Sequence, residues 1–225
     1  MTASLELVSL LKPRRAPGAH RFGDNAGVLI EHEGKRPRVA ESAYVAPTAV
    51  VCGDVTIGED SRVLFGAVLT AEGGAVEIGD RCIVMEQAVV RGRAGHPVRL
   101  GDHVLVGPHA HVNGAEIGSD VFLATGVSVF PGARIGAGSE VRINAVVHVN
   151  SALPEGTTVP IGWIAAGDPA ELFPPDAHER LWPVQRAMDF PRTVFGIARD
   201  ELTMEKVARA YAERFGRHRS DRVIE

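Results

Sequence analysis

Two histidines stand one residue apart in Val106-Gly107-Pro108-His109-Ala110-His111-Val112-Asn113-Gly114. Imidazoles can ligate a metal or move protons near neutral pH. Upstream, Arg91 offers a planar fork for a carboxylate or phosphate, and Glu86 can accept a proton. Thr70, Glu72 and Asn113 add a hydroxyl, a carboxylate and an amide. His96 and His148 are further histidines that a site in this region could use. Which of these groups meet depends on how the chain is wound.

The winding is legible as a period of six. Val39, Val45, Val51, Ile57, Val63 and Leu69 form an unbroken aliphatic series, which resumes at Ile78, Leu100, Ile117 and Ile135 and runs to Val159. Small or branched residues precede the series by two positions, as at Ala43, Ala49, Val55, Ser61 and Ala67. Six fits neither the helical period nor simple strand alternation. It predicts short strands that turn a corner every six residues, three to a triangular coil, in a parallel β-helix that buries its face by stacking coil on coil. Glycine follows many of the aliphatics, as in Ile57-Gly58 and Ile78-Gly79, where crowding at a corner favours a residue without Cβ.

The phase breaks at Leu69 to Ile78 and at Val90 to Leu100, so "T-A-E-G-G" and "R-G-R-A-G-H-P" protrude from one corner. Down that corner run Thr70, Arg91 and Asn113, with Glu72, Glu86 and His109 expected close by. Ala110 belongs to the small inward set, so His109 and His111 face outward. His148 shares the corner column but lies two coils on, roughly 10 Å away at ordinary strand spacing. The expected organisation is a lead-in over 1–38, the β-helix over 39–169 and a helical extension over 170–225. Helical spacing marks residues 176–190, with Pro183 as a kink or break. It recurs over residues 200–216, where Leu202, Val207, Ala208, Tyr211 and Phe215 form a stripe that stops at Gly216.

Composition sets the outer limits. A net charge of −4 gives no pull towards nucleic acid or an anionic membrane surface, so neither is expected as a partner. Cys52 and Cys82 are the only cysteines and form no CxxC pair, which fits a reducing compartment. No apolar run reaches the roughly 18 residues of a membrane span, and a cytoplasmic location is expected.

From about Val39 to Pro169 the hexads, the two loops at one corner and the C-terminal helix resemble the gamma-class carbonic anhydrases and the wider group of left-handed β-helix proteins. The resemblance implies an all-β left-handed solenoid, a homotrimer, and sites between adjacent subunits. In catalytic members three histidines, one of them from a neighbouring subunit, hold zinc beside an arginine–aspartate pair, and the zinc polarises water. Carried over position by position, the zinc histidines fall on Arg91, Pro108 and Asn113, the arginine on Thr70 and the aspartate on Glu72. The family's polar "Asn-x-Gln-Asp" run becomes Ile83-Val84-Met85-Glu86.

None of the three substitutes is a good zinc donor, so no metal or other cofactor is expected at that place and carbon dioxide hydration is not expected. The remaining metal possibility is a shifted site using His109, His111, His148 or His96. Three functions follow. In the first, the former zinc cleft holds a small anionic or acyl metabolite, with Arg91, Glu86 and His109 catalytic and Thr70, Glu72, Asn113 and His111 binding substrate. The second is an acyl-coenzyme-A-dependent transferase using His96. The third is a non-catalytic assembly subunit docking through residues from Phe173 onward.

Overall fold

The computed structural model describes residues 27–224. They wind into a parallel β-solenoid of about 8 turns, of the left-handed hexapeptide-repeat type, followed by C-terminal helices. Three sheets form the sides of the prism. Sheet I has ten strands, and sheets II and III have seven each. Sheet II starts at Arg38–Val39 and sheet III at Tyr44–Val45, and the chain visits I, II and III in turn on every coil.

The hexad columns are the core. Every aliphatic of the series from Val45 to Val159 named above is buried, as are Ala43, Ala49, Val55, Ser61 and Ala67 beside it. The one hydroxyl among these, on Ser61, donates to the Gly79 carbonyl at 2.8 Å and accepts from the Cys82 N–H at 2.9 Å, so its burial leaves no polar group unpaired. At the corner between sheets II and III the glycines stack directly. A Cβ on Gly79 would stand 2.6 Å from the Gly101 carbonyl oxygen, closer than any side chain tolerates.

The solenoid extends beyond the span expected for it. Val28–Glu31 already pairs in parallel with Val50–Cys52, so the first rung of sheet I lies inside the stretch expected as a lead-in. Residues 1–26 of that stretch lie outside the described residues. Sheet I is closed at both ends by antiparallel strands. Ala170–Phe173 folds back on Ile164–Gly167, and Arg222–Ile224 pairs with Glu31–Leu29. The second of these leaves no hydrophobic period to read, and sequence reasoning missed it.

Between those strands lie three helices: α1 (His178–Ala187), α2 (Phe190–Phe195) and α3 (Met204–Gly216). The expected break at Pro183 does not occur, because α1 runs past it to Ala187. The turn comes instead at Asp189, which adopts a left-handed conformation and caps α2 by accepting from the Arg192 N–H. Val207 anchors α3 as its buried residue, whereas Ala208 of the expected stripe is exposed. Aromatic contacts carry the extension back along the solenoid: Phe130 meets Phe190, Phe190 meets Phe195, Phe195 meets Tyr211, and Tyr211 meets Phe215.

Candidate functional site

The corner column exists as the hexad phase dictates. Arg91 is in register with Thr70 on one side and Asn113 on the other, because strands 68–72, 89–93 and 111–113 are adjacent in sheet I. The two insertions leave this corner together and are tied by a bridge from Arg93 to Gly73, while a bridge from Arg93 to His96 closes the longer insertion on itself. Arg91 Nε and Asn113 Oδ1 are buried without a hydrogen-bond partner among the described residues. Helix α3 lays Phe215 over the Arg91 guanidinium, 5.9 Å from ring centroid to Cζ.

Further down the column, Phe130 separates Asn113 from His148, as the spacing predicts. His148 is buried between Phe130 and Phe190, and its Nδ1 has no hydrogen-bond partner among the described residues. Burial holds its pKa below the usual histidine value.

Other residues expected at this corner sit elsewhere. Glu86 and His109 occupy the turns that enter sheet I, at the opposite edge of the strand from Arg91. His109 takes a left-handed conformation there, with φ of 58°, and its N–H bonds the Glu86 carbonyl. Glu86 shares its corner with Phe65 and Pro108, and neither Glu86 nor His109 hydrogen-bonds Arg91 within the described chain. His111 stands half-buried on the outer face of sheet I between Val89 and Ser128. Burial, then the charges of Arg91 and Arg93, push its pKa down.

Beside the column, the insertion and the C-terminal helices enclose a cleft of about 360 Å³ lined by Arg93, His96, Arg192 and Arg214 among others, and by no acidic residue. Arg93 is 7% exposed, donates to the Val194 carbonyl, and has no carboxylate within ion-pairing distance among the described residues. Burial, and then the neighbouring Arg214 and Arg91 charges, lower its pKa against an opposing pull from Tyr211. The His96 pKa is also lowered, by burial first and the Arg93 charge second.

On the adjacent strand Glu72 is in register with Arg93, but its carboxylate is engaged by Thr70 and His218. Its Oε1 accepts from Thr70 Oγ1 at 3.0 Å and meets His218 Nε2 at 3.0 Å. His218 Nδ1 and His32 Nδ1 each lie 2.7 Å from Asp221, one on each carboxylate oxygen, and the two imidazoles stack with centroids 4.4 Å apart. Cys52 Sγ is 3.8 Å from Asp221 Oδ2. Burial first, and the nearby Asp221 and Glu72 charges second, push the Cys52 thiol up to about 11. Burial, the largest single influence, would raise Asp221 and lower His218, but the hydrogen bonds and charges of Asp221 and Glu72 on His218, and of His218 and His32 on Asp221, together outweigh it and move each the other way. Among the described residues this is the one group of three or more His, Cys, Asp or Glu side chains close enough to share an ion, and it is not the His109–His111 pair. Only the i, i+3 spacing of His218 and Asp221 signals it locally; His32 and Cys52 are brought in by the return of the C-terminal segment.

No family model matches the chain. It is 36% identical to an uncharacterized protein of Dictyostelium discoideum over 47% of this chain and 41% of that one. It is 28% identical to gamma carbonic anhydrase 2, mitochondrial, of Arabidopsis thaliana over 69% of this chain and 57% of the relative. The chain thus spans about half the length of these curated relatives. Among solved structures, a putative acetyltransferase of Bacillus cereus aligns with a TM-score of 0.47 at 23% identity, covering 82% of this chain and 95% of that one. By its hexad solenoid and these sequence likenesses, the chain is similar to the gamma carbonic anhydrase-like hexapeptide-repeat proteins.

Proposed function

We propose that this protein binds a small anionic metabolite, of the carboxylate, phosphate or acyl-phosphate class, and does not hydrate carbon dioxide. The family's zinc does not fit the residues carried over to its place. Arg91 brings a fixed cation, Pro108 no donor, and Asn113 a weak carbonyl donor. No chemistry is therefore routed through a metal there. The observation that carries the reading is Arg93, a buried guanidinium without a carboxylate partner among the described residues, facing a cleft that also receives His96, Arg192 and Arg214. A buried charge without a counter-ion is costly, and an anion entering the cleft would relieve that cost.

Arg93 and Arg214 would clamp the anion. His96, which lines the cleft with Arg93 and whose pKa burial and that charge lower, would be the proton carrier. Arg91 and Asn113, next along the column and under Phe215, would hold the insertion in place rather than touch the ligand.

A homotrimer fits the opposite corner. There Phe65, Ile143 and Ile161 are 52%, 45% and 62% exposed along one edge of the solenoid, an apolar strip of the kind that marks a protein interface. Glu86, Pro108 and His109 lie on that edge and would fall at the subunit seam. The cytoplasm remains the compartment we favour, and no helix among the described residues is long and apolar enough to cross a membrane.

Thermal shift at constant ionic strength tests the reading, with inorganic phosphate and malonate compared against chloride. Phosphate or malonate should raise Tm with concentration, as any ligand of the folded state must. Arg214→Met should abolish the rise. An equal response to chloride, or an undiminished response in that variant, would sink it.

A further inference from the structure

We propose that His32, Cys52, His218 and Asp221 form a binding site for a divalent ion of the zinc class, which clips the C-terminal segment onto the first coils of the solenoid. The site is independent of what the cationic cleft binds.

Four donors of the types zinc prefers converge, with ligand atoms all within 4.8 Å of one another. Tetrahedral zinc with nitrogen, oxygen and sulfur ligands needs separations of roughly 3.3–3.8 Å, so a contraction of about 1 Å at the longest distance closes the set. The setting is that of a built site. His32 and Cys52 are each 5% exposed. His218 already presents Nε2 to Glu72, and Thr70 pins that carboxylate in turn. A metal-ligating imidazole is commonly oriented in this way, its second nitrogen held by a carboxylate.

Charge argues in the same direction. Asp221 and Glu72 converge on a partly buried spot where, among the described residues, they pair with histidines and with no lysine or arginine. A divalent cation supplies the missing positive charge and converts the Cys52 thiol to a thiolate on binding. Four protein donors leave no open position, so the ion is structural. The ligands come from opposite ends of the described chain, 189 residues apart between His32 and Asp221. Binding therefore fixes the strand Arg222–Ile224 against Val28–Glu31, and with it the end of α3 that carries Arg214 towards the cleft.

The test is a cobalt(II) titration of the metal-stripped, full-length protein. One equivalent should give the intense d–d absorption of a tetrahedral ion together with a thiolate-to-cobalt charge-transfer band. The chain has two cysteines, which makes the band assignable. Cys52→Ser should remove it and Cys82→Ser should keep it. Glu72→Gln, which spares every ligand, should keep the band and weaken binding about 10–100-fold. Amide exchange on the unmutated protein needs no variant: zinc should slow exchange across residues 204–224. Weak octahedral absorption alone, a band that survives Cys52→Ser, or exchange that zinc leaves unchanged would each overturn the proposal.

Discussion

Gly92 separates the two arginines of the site, and replacing it with alanine isolates one physical effect. Its φ lies outside the left-handed region, so alanine incurs no backbone strain there. The space is the obstacle. A Cβ at Gly92 would meet the Gly74 carbonyl oxygen head-on and stand 2.5 Å from the Ala75 carbonyl oxygen. Both are backbone atoms of the neighbouring insertion and cannot swing aside as a side-chain tip would. Restoring ordinary contact moves one insertion about 1 Å from the other. Forced insertion of this kind costs about 1–3 kcal/mol, against which the stiffer unfolded chain returns about 0.4–1 kcal/mol. The net loss should be about 1 kcal/mol, a fall in Tm of roughly 2–4 °C for a chain of this length. Gly216→Ala is the control. Gly216 has φ of −59° and nothing within 4 Å of its missing Cβ, so alanine should stabilise the protein. Its gain should be about 0.4–1 kcal/mol. Scanning calorimetry of both variants gives opposite signs if close approach of the insertions sets the requirement. A Gly92→Ala protein as stable as its parent would refute the reasoning.

Three further outcomes are expected. Leu69, fully buried in the aliphatic column, should cost about 2–5 kcal/mol when cut to alanine, read by denaturant unfolding. Acid should destabilise the protein as pH falls below about 6.5, because unfolded histidines then take up protons that buried His148 resists. His148→Gln should flatten the dependence of Tm on pH in that range, and an unchanged slope would contradict the assignment. Asn150 holds the α1–α2 junction by donating to the Met188 carbonyl and to Thr193 Oγ1 at 3.3 and 3.0 Å. Asn150→Ala should cost about 1–3 kcal/mol and speed proteolysis near residues 188–195.

The solenoid was legible because its physics is local and repeated. An aliphatic every sixth residue fixes an inner column, and Val45 to Val159 are buried as that period requires. The shared exit of the two insertions, and the alignment of Thr70, Arg91 and Asn113, followed from counting alone. What counting could not give is which side of a strand's length a residue occupies. Glu86 and Arg91 lie in the same coil, yet they stand at opposite edges of the sheet I strand. The site chemistry was least legible where it depends on the C-terminal extension. Glu72 was expected close to Arg91 in the corner column, but His218 claims it from 146 residues away. The Arg192 and Arg214 side chains enter the cleft only because α2 and α3 fold back on the insertions.

The strands that close the ten-stranded sheet both come from late in the chain. Ala170–Phe173 covers one edge and Arg222–Ile224 the other. During synthesis the first rung, Val28–Glu31, is made early, yet its outer row of amides and carbonyls stays open until residues 222–224 have left the ribosome. An open parallel rung is a template for another chain. Nascent chains that have not yet reached residue 222 are therefore the species most exposed to pairing with one another through this edge, and the pairing of Arg222–Ile224 ends that exposure.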